Sequence, residues 1–337
     1  MKTLHLSIYD INVKISSNSE FALENLEKDF MLYLDKKERK HTNKVLKINI
    51  YKGVIPYQMV PSLEASLYSL GSICYRDGDI HYVDYSGKGL MVYDFTDEIA
   101  DIYSEDEKLL YEKARLAVLS RIGELLDSRH VHRIHAVGFA KDTKATICLL
   151  PMEGGKTTLA LNVLRNSSEI KLLSDDVCFI DFKNCIYPFA LRIGTRDEAF
   201  IRGIQEKFIT KINRSLYGEK FLIDLAYLSD NIAEKSKVRN ILIGKRVFQE
   251  RTEIKRLSKI KCLIPFIQSG VFGLGLPQIV ELFLRGGFLD TFKKTGIALS
   301  RACIFLKLIL QTDTYELKMG RDLDISAEVV ADFINSR

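Results

Sequence analysis

The stretch Leu149–Leu164, "LLPMEGGKTTLALNVL", ends like a phosphate-binding loop and begins like something else. Gly155, Lys156 and Thr157 supply the tail of the pattern G-x-x-x-x-G-K-[ST], whereas Leu150 stands where the first glycine belongs. Ahead of the turn "PMEGG", "ATICLL" reads as an apolar strand; after it, "KTTLALNVL" reads as a helix with one apolar face. That order suits the chemistry, because successive backbone amides and a helix N-terminus then face the phosphates. Gly154, Gly155, Lys156, Thr157 and Thr158 form the expected nucleotide cradle. Lys156 reaches the β and γ oxygens in this reading, and the Thr157 hydroxyl holds Mg²⁺. The same letters also fit an ordinary helix start with glycines at its cap.

One helix later, "IKLLSDDVCFI" carries Asp175 and Asp176 side by side in an apolar strand. Adjacent strand residues point to opposite faces, so the two carboxylates serve one site only where the strand ends or bends. With the loop upstream, one Asp suits Mg²⁺ and the other suits a base for an incoming hydroxyl. Taken alone, the pair reads as a turn. His135, in the apolar run "RIHAVGFA", reads alone as a buried structural histidine.

Outward from this centre the pattern divides the chain in two. Residues 1–128 are mostly strand-like ("LHLSIYDINVKI", "KVLKINIYKG", "SICYRDGDIHYVDYSGKGLMVYDF"), with one helix expected near Ala22–Leu34. This predicts an α+β N-terminal domain. An amphipathic helix is expected over Asp106–His130, bridging to a second domain at 129–337. There "RIHAVGFA", "ATICLLP", "IKLLSDDVCFID" and "YPFALRIG" read as strands among helices, which predicts an α/β layer with a parallel or mixed sheet. The section Ile209–Arg256 reads as helix, strand "VRNILIG", helix; the tail reads as a helix over Ala298–Gln311, the strand "TDTYELKMG" and a helix from Ile325.

Bulk properties set the remaining bounds. A chain of 337 residues, 47% hydrophobic and 28% charged, buries a core without staples. Cys74, Cys148, Cys178, Cys185, Cys262 and Cys303 are scattered without a C-x-x-C pair or a histidine at ligand spacing, so reduced thiols, a cytoplasmic protein and no zinc site are expected. "MKTLHLSIYDINVKIS" alternates like a strand and lacks the core of a secretory signal. The apolar region Cys262–Leu310 is broken by Gln268, Glu281, Arg285, Asp290, Lys293 and Lys294, which predicts core helices and no membrane span. Most of the net charge of +5 sits in Glu234–Lys261, either a contact for an acidic partner or a solvated helix face with strand edges. With no Trp and no aromatic-interleaved basic motif, no nucleic acid partner is expected.

"RIHAVGFAKDTKATICLLPMEGGKTTLALNVL" and "LLSDDVCFI" resemble the HPr kinase/phosphorylase family and its related serine kinases, whose catalytic domain is similar to that of phosphoenolpyruvate carboxykinase. The likeness extends more weakly through "YPFALRIG" and "TDTYELKMGRDLD", over roughly the last 200 residues. It implies a P-loop kinase domain preceded by the smaller α+β domain. It also implies ATP and Mg²⁺ as cofactors and phosphoryl transfer to a hydroxyl, most readily a serine of a peptide or small protein such as a ribosomally made precursor. By position it implies Lys156 and Thr157 as the loop residues, Asp175 as acid/base, Asp176 beside the metal, and His135 near the transferred phosphate. Pro151 and Met152 replace the family's acidic residue and serine, and Thr158 replaces its glutamate. The family's Gly-rich segment with a functional arginine is not recognisable, which leaves Arg192 or Arg196 as stand-ins or as surface residues. A non-catalytic nucleotide- or partner-binding protein, a small-molecule kinase and a bifunctional HPr kinase/phosphorylase stay open as alternatives, as do GTP or pyrophosphate as donor and a homo-oligomer.

Overall fold

The computed structural model describes residues 1–35, 45–214, 218–283 and 288–337. Lys44, Arg285 and residues 215–217, which the sequence reading touches, lie outside them. The chain divides into two compact units, residues 1–125 with 277–292 and residues 126–276 with 293–337. The architecture is mixed α/β.

The alternation of the N-terminal third builds one sheet: β1 (Lys2–Ile8), β2 (Ile11–Ser17), β3 (Val45–Lys52), β4 (Ala65–Ser69), β5 (Ser72–Asp77), β6 (Ile80–Asp84), β7 (Leu90–Asp94) and β8 (Ile99–Ser104), in the order β1-β2-β3-β8-β7-β6-β5-β4. Tyr9 and Asp10, at φ 49° and 65°, make the two-residue turn between β1 and β2. Helix α1 (Glu20–Asp29) separates β2 from β3, which therefore pair in parallel, and Ser19 caps it by accepting the Ala22 amide.

Helix α2 (Glu107–Asp127) departs from the amphipathic expectation, since every residue from Ala117 to Glu124 is buried. A helix enclosed all round has to neutralise its polar side chains internally. Arg121, 1% exposed, donates from Nε and Nη2 to Glu98 at 3.0 and 2.7 Å and from Nη1 to Glu124. The Tyr93 hydroxyl donates to the same Glu98 carboxylate.

The second unit starts with β9 (Val131–His135), β10 (Val137–Lys141) and β11 (Lys144–Leu149), then α3 (Lys156–Asn166), β12 (Lys171–Ser174), β13 (Val177–Asp181) and β14 (Cys185–Tyr187). A small antiparallel sheet follows, of β15 (Ile193–Thr195), β16 (Ile209–Arg214) and β17 (Gly218–Ile223), in the order β15-β17-β16. Then come β18 (Ser236–Arg246), β19 (Glu253–Arg256), α4 (Leu263–Phe266), α5 (Val280–Phe283, in the first unit), α6 (Phe288–Gln311), β20 (Asp313–Met319) and α7 (Leu323–Asn335). The main sheet runs β12-β10-β11-β18-β14-β13-β9, with β20 also on β18 and β19 on β20. On α6, Ile304, Phe305, Leu308 and Ile309 recur at helical spacing and bury against Ile134, Ile147, Ile241 and Phe266.

Strands β11, β18 and β20 are parallel, and the register puts Leu149 opposite Ile243 and Met319 opposite Arg246. Their C-terminal ends thus share one edge, the place where open α/β sheets receive ligands. Helix α3 leaves from this edge and packs on α7, with the Asn162 amide donating to Asp324.

Two expected helices are corrected. Ile209 and Ile212 mimic a helical spacing, yet the segment pairs as β16 with β17 from Ile209↔Ile223 to Arg214↔Gly218; its β-branched residues suit a pleated strand. The residues after "VRNILIG" form β19, paired with β20, and Lys245 binds Glu316 there. The basic run is therefore mostly strand, β18 inside the sheet and β19 at its edge, rather than helix face.

The expected boundary at residue 128 lies beside the division at 125/126, and residues 277–292 belong with the first unit. Glu281 accepts the Ser72 hydroxyl and its carbonyl lies 2.9 Å from His81 Nδ1, while the Ile279 amide donates to Ser120 at 2.7 Å. No helix among the described residues is long and apolar enough to cross a membrane. Removing one partner of a buried charge network costs about 3–5 kcal/mol, so Arg121→Ala is expected to lower stability by that amount in urea unfolding; a loss below about 1 kcal/mol would remove this network from the core's account.

Candidate functional site

The loop between β11 and α3 answers the question of the missing glycine. Leu150 is 2% exposed, and a Cβ added at Gly244 on the adjacent strand β18 would lie 2.5 Å from Leu150 Cδ2. The side chain that replaces the first glycine thus fills space that a glycine of the neighbouring strand leaves. Beyond it the Gly154 amide donates to the Pro151 carbonyl at 3.0 Å, closing the turn. Gly155 caps the helix at φ 94°, a conformation that favours glycine.

The first intrahelical bond of α3 is Leu159 N–H to Gly155 C=O at 2.8 Å, and no side chain caps the helix. The amides of Lys156, Thr157 and Thr158 therefore stand ahead of the helical ladder, as an anion site requires. Both threonines are half-buried. Lys156 is 7% exposed, and its Nζ donates to the carbonyls of Leu150 and Pro151, each at 2.8 Å, tying the loop into a ring. Burial lowers the Lys156 pKa, while the negative charges of Asp176 and Asp175 act to raise it. Burial also pushes the Cys148 thiol up to about 12, so it is neutral near pH 7.

The Asp pair does not lie within one strand. Asp175 and Asp176 form a bend between β12 and β13, where the Ser174 hydroxyl accepts the amides of Asp176 at 3.4 Å and Val177 at 3.1 Å. The bend lifts the strict alternation, so both carboxylates act on Lys156.

His135 ends β9 opposite Val177. Its Nδ1 lies 3.1 Å from both the carbonyl oxygen and the Oδ1 of Asp176. Two acceptors at one nitrogen assign the proton to Nδ1. Nε2 is buried with no hydrogen-bond partner, in a side chain that is 7% exposed. An unmade bond at such an atom costs about 1–3 kcal/mol and points to a group that the site is built to receive. The backbone of Gly275 presses on this ring, since a Cβ there would stand 2.5 Å from His135 Cδ2.

Lys156, Asp175, Asp176 and His135 therefore share one neighbourhood with Gly154, Gly155, Thr157 and Thr158. Arg192 is buried, donating to Thr210 and facing Asp224, and Arg196 is exposed. Arg246 is a second cation at the loop, with Nη1 3.8 Å from where a Gly155 Cβ would be and Nη2 donating to the Arg321 carbonyl at 3.3 Å. Only the parallel register of β18 beside β11 could have revealed it.

No protein-family model matches the chain, and no curated protein matches it significantly. The chemistry of the site thus rests on its geometry.

Among the described residues no three His, Cys, Asp or Glu side chains gather into a metal cage. Magnesium held by one or two carboxylates together with phosphates and water needs none. The donor set of Asp176 and Thr157 fits that mode.

Restoring the motif should harm this protein. Leu150→Gly empties a buried position and is expected to cost about 2–5 kcal/mol. Gly244→Ala overpacks the same contact and is expected to cost about 1–3 kcal/mol. Adding Leu150→Ala to Gly244→Ala should then recover part of that loss in a double-mutant cycle, whereas strict additivity would separate the two residues.

Proposed function

We propose that the chain is a Mg²⁺-dependent phosphotransferase that moves the terminal phosphoryl group of ATP to a hydroxyl, with a serine of a peptide or small protein as acceptor. The observation that carries this reading is a buried lysine at the start of an uncapped helix, on which the charges of two carboxylates at the β12–β13 bend act. The sequence likeness to the HPr kinase-related serine kinases, carried by the same loop and Asp pair, agrees with it. Mg²⁺, when bound, neutralises charge on the phosphate oxygens.

Within this reading the chain's own groups divide the work. The amides from Gly155 to Thr158 cradle the phosphates, Thr157 and Asp176 hold Mg²⁺, and Lys156 exchanges two loop carbonyls for phosphate oxygens. Asp175 takes the proton of the acceptor hydroxyl. His135, fixed through Nδ1 by Asp176, offers Nε2 toward the incoming group. Positioning and charge neutralisation carry most of the rate, because phosphoryl transfer passes through a loose transition state. Phe272 and Leu274, both exposed, flank the Gly275 backbone that lies against His135. An apolar rim of that kind suits an extended peptide better than a small polar acceptor.

The Lys156 carbonyl bonds favour one rival, a loop locked against nucleotide. Calorimetric titration of MgATP separates the two readings. The wild type should bind within the range of about 1 μM to 1 mM, and Lys156→Ala should weaken binding at least about tenfold; no binding to the wild type would assign the scaffold another use. Asp175→Asn should keep nucleotide affinity and lower radiolabel transfer from ATP to a serine-peptide pool by about 10²–10⁴-fold. Undiminished transfer would remove Asp175 from the base role.

A further inference from the structure

A second group of reactive side chains lies in the second unit, apart from the loop. Asp127 ends α2, His132 lies on β9 and Ser300 on α6. Asp127 Oδ1 is 2.8 Å from His132 Nδ1, and His132 Nε2 is 2.8 Å from Ser300 Oγ. His132 is 0% exposed, whereas Ser300 is half-buried and His130, whose Nδ1 is 3.0 Å from Ser300 Oγ, is exposed. Arg301 grips the same carboxylate through Nε at 3.1 Å and through Nη2, and Arg133 adds a contact of 3.4 Å.

The hydrogen-bond directions follow from the donor inventory. Burial pushes the Asp127 carboxyl up, but the His132 hydrogen bond, the charges of Arg133 and Arg301 and the Arg301 hydrogen bond bring it down to about 2. Asp127 is thus an ionised, accepting group, and His132 Nδ1 carries the proton. In the neutral ring Nε2 then holds a lone pair, so the Ser300 hydroxyl donates to it. His130 Nδ1–H donates to Ser300 Oγ in turn. A hydroxyl bonded to an imidazole that is itself oriented by a carboxylate is the arrangement of an activated serine nucleophile.

We infer that Ser300, His132 and Asp127 form a second reactive centre, independent of the phosphate-loop reading, that takes acyl groups from activated esters. Ser300 Oγ bonds to the ester carbonyl carbon while its proton passes to His132 Nε2. The carbon–oxygen bond to the leaving alcohol breaks, and His132 returns the proton to that alcohol. Water attacks the acyl-serine by the same route, giving its proton to His132 and releasing the acid and Ser300. Asp127 is a positioning residue that fixes the ring and its tautomer, and Arg301 holds Asp127. Because two arginines share the Asp127 charge, the imidazolium is stabilised less than by a carboxylate alone. The Ser300 amide belongs to the interior of α6 and the Nδ1–H of exposed His130 is bonded to Ser300 Oγ, so neither is free for the developing oxyanion. Good leaving groups, such as aryl esters, are therefore the substrates.

A fluorophosphonate probe tests this directly, since the same attack forms an oxygen–phosphorus bond and expels fluoride with the proton held by His132. Peptide mapping should find one adduct per chain, at Ser300, in a Cys303→Ser background that removes the exposed thiol one turn along α6. Ser300→Ala should abolish it, and His132→Gln, labelled at a temperature where its melting curve shows it folded, should slow labelling about a hundredfold. No adduct at Ser300, or labelling of His132→Gln at the wild-type rate, would overturn the proposal. Should His132→Gln fail to fold, the wild type decides alone. Ser300 should react faster than every other serine in the folded protein and lose that preference in urea, whereas equal rates among the serines would sink the idea.

Discussion

The seat of Leu150 over Gly244 fixes where the loop leaves the sheet, and much of the candidate site depends on that exit. The contact works because β11 and β18 are parallel and adjacent, so a strand that ends in a bulky residue meets a strand that has no side chain at the same level. With the exit anchored, the Pro151 and Leu150 carbonyls point back at the Lys156 ammonium, and the start of α3 is held without a side-chain cap. Packing between two strands thus gives the loop a tight exit, and a glycine cap with a buried lysine makes it rigid.

What the sequence made legible was local. Strand, turn and helix around Lys156 are encoded within about twenty residues, and the apolar period follows them closely. The Asp175–Asp176 bend was legible only as one of two readings, a strand or an Asp-Asp turn, because apolar residues continue on both sides of it. Ile209 and Ile212 misled in the opposite sense, since three-residue spacing fits a helix while the pairing of β16 with β17 is settled by a partner strand. Arg246, Gly244 and Gly275 carried no local signal at all. Their importance comes from register and from close backbone approach, which only tertiary structure displays.

Buried charge is distributed through both units by one helix. Arg121 of α2 is satisfied by Glu98 and Glu124, and Asp127 at its end by His132, Arg133 and Arg301. Groups of this kind contribute little net stability when complete and cost much when broken. They specify which partner each segment must find, and so they discriminate against alternative packings of the same apolar surfaces.

The return of 277–292 to the first unit bears on how the molecule is made. Glu281 and Ile279 reach back to Ser72, His81 and Ser120, residues synthesised long before them. A ribosome delivers the first 125 residues without that closing piece, so the N-terminal sheet emerges with some of its polar groups still waiting for acceptors. The first unit can reach its final state only after most of the second has been translated. The two units are thereby linked in time, and an excised fragment ending near residue 128 would lack a part of its own interior.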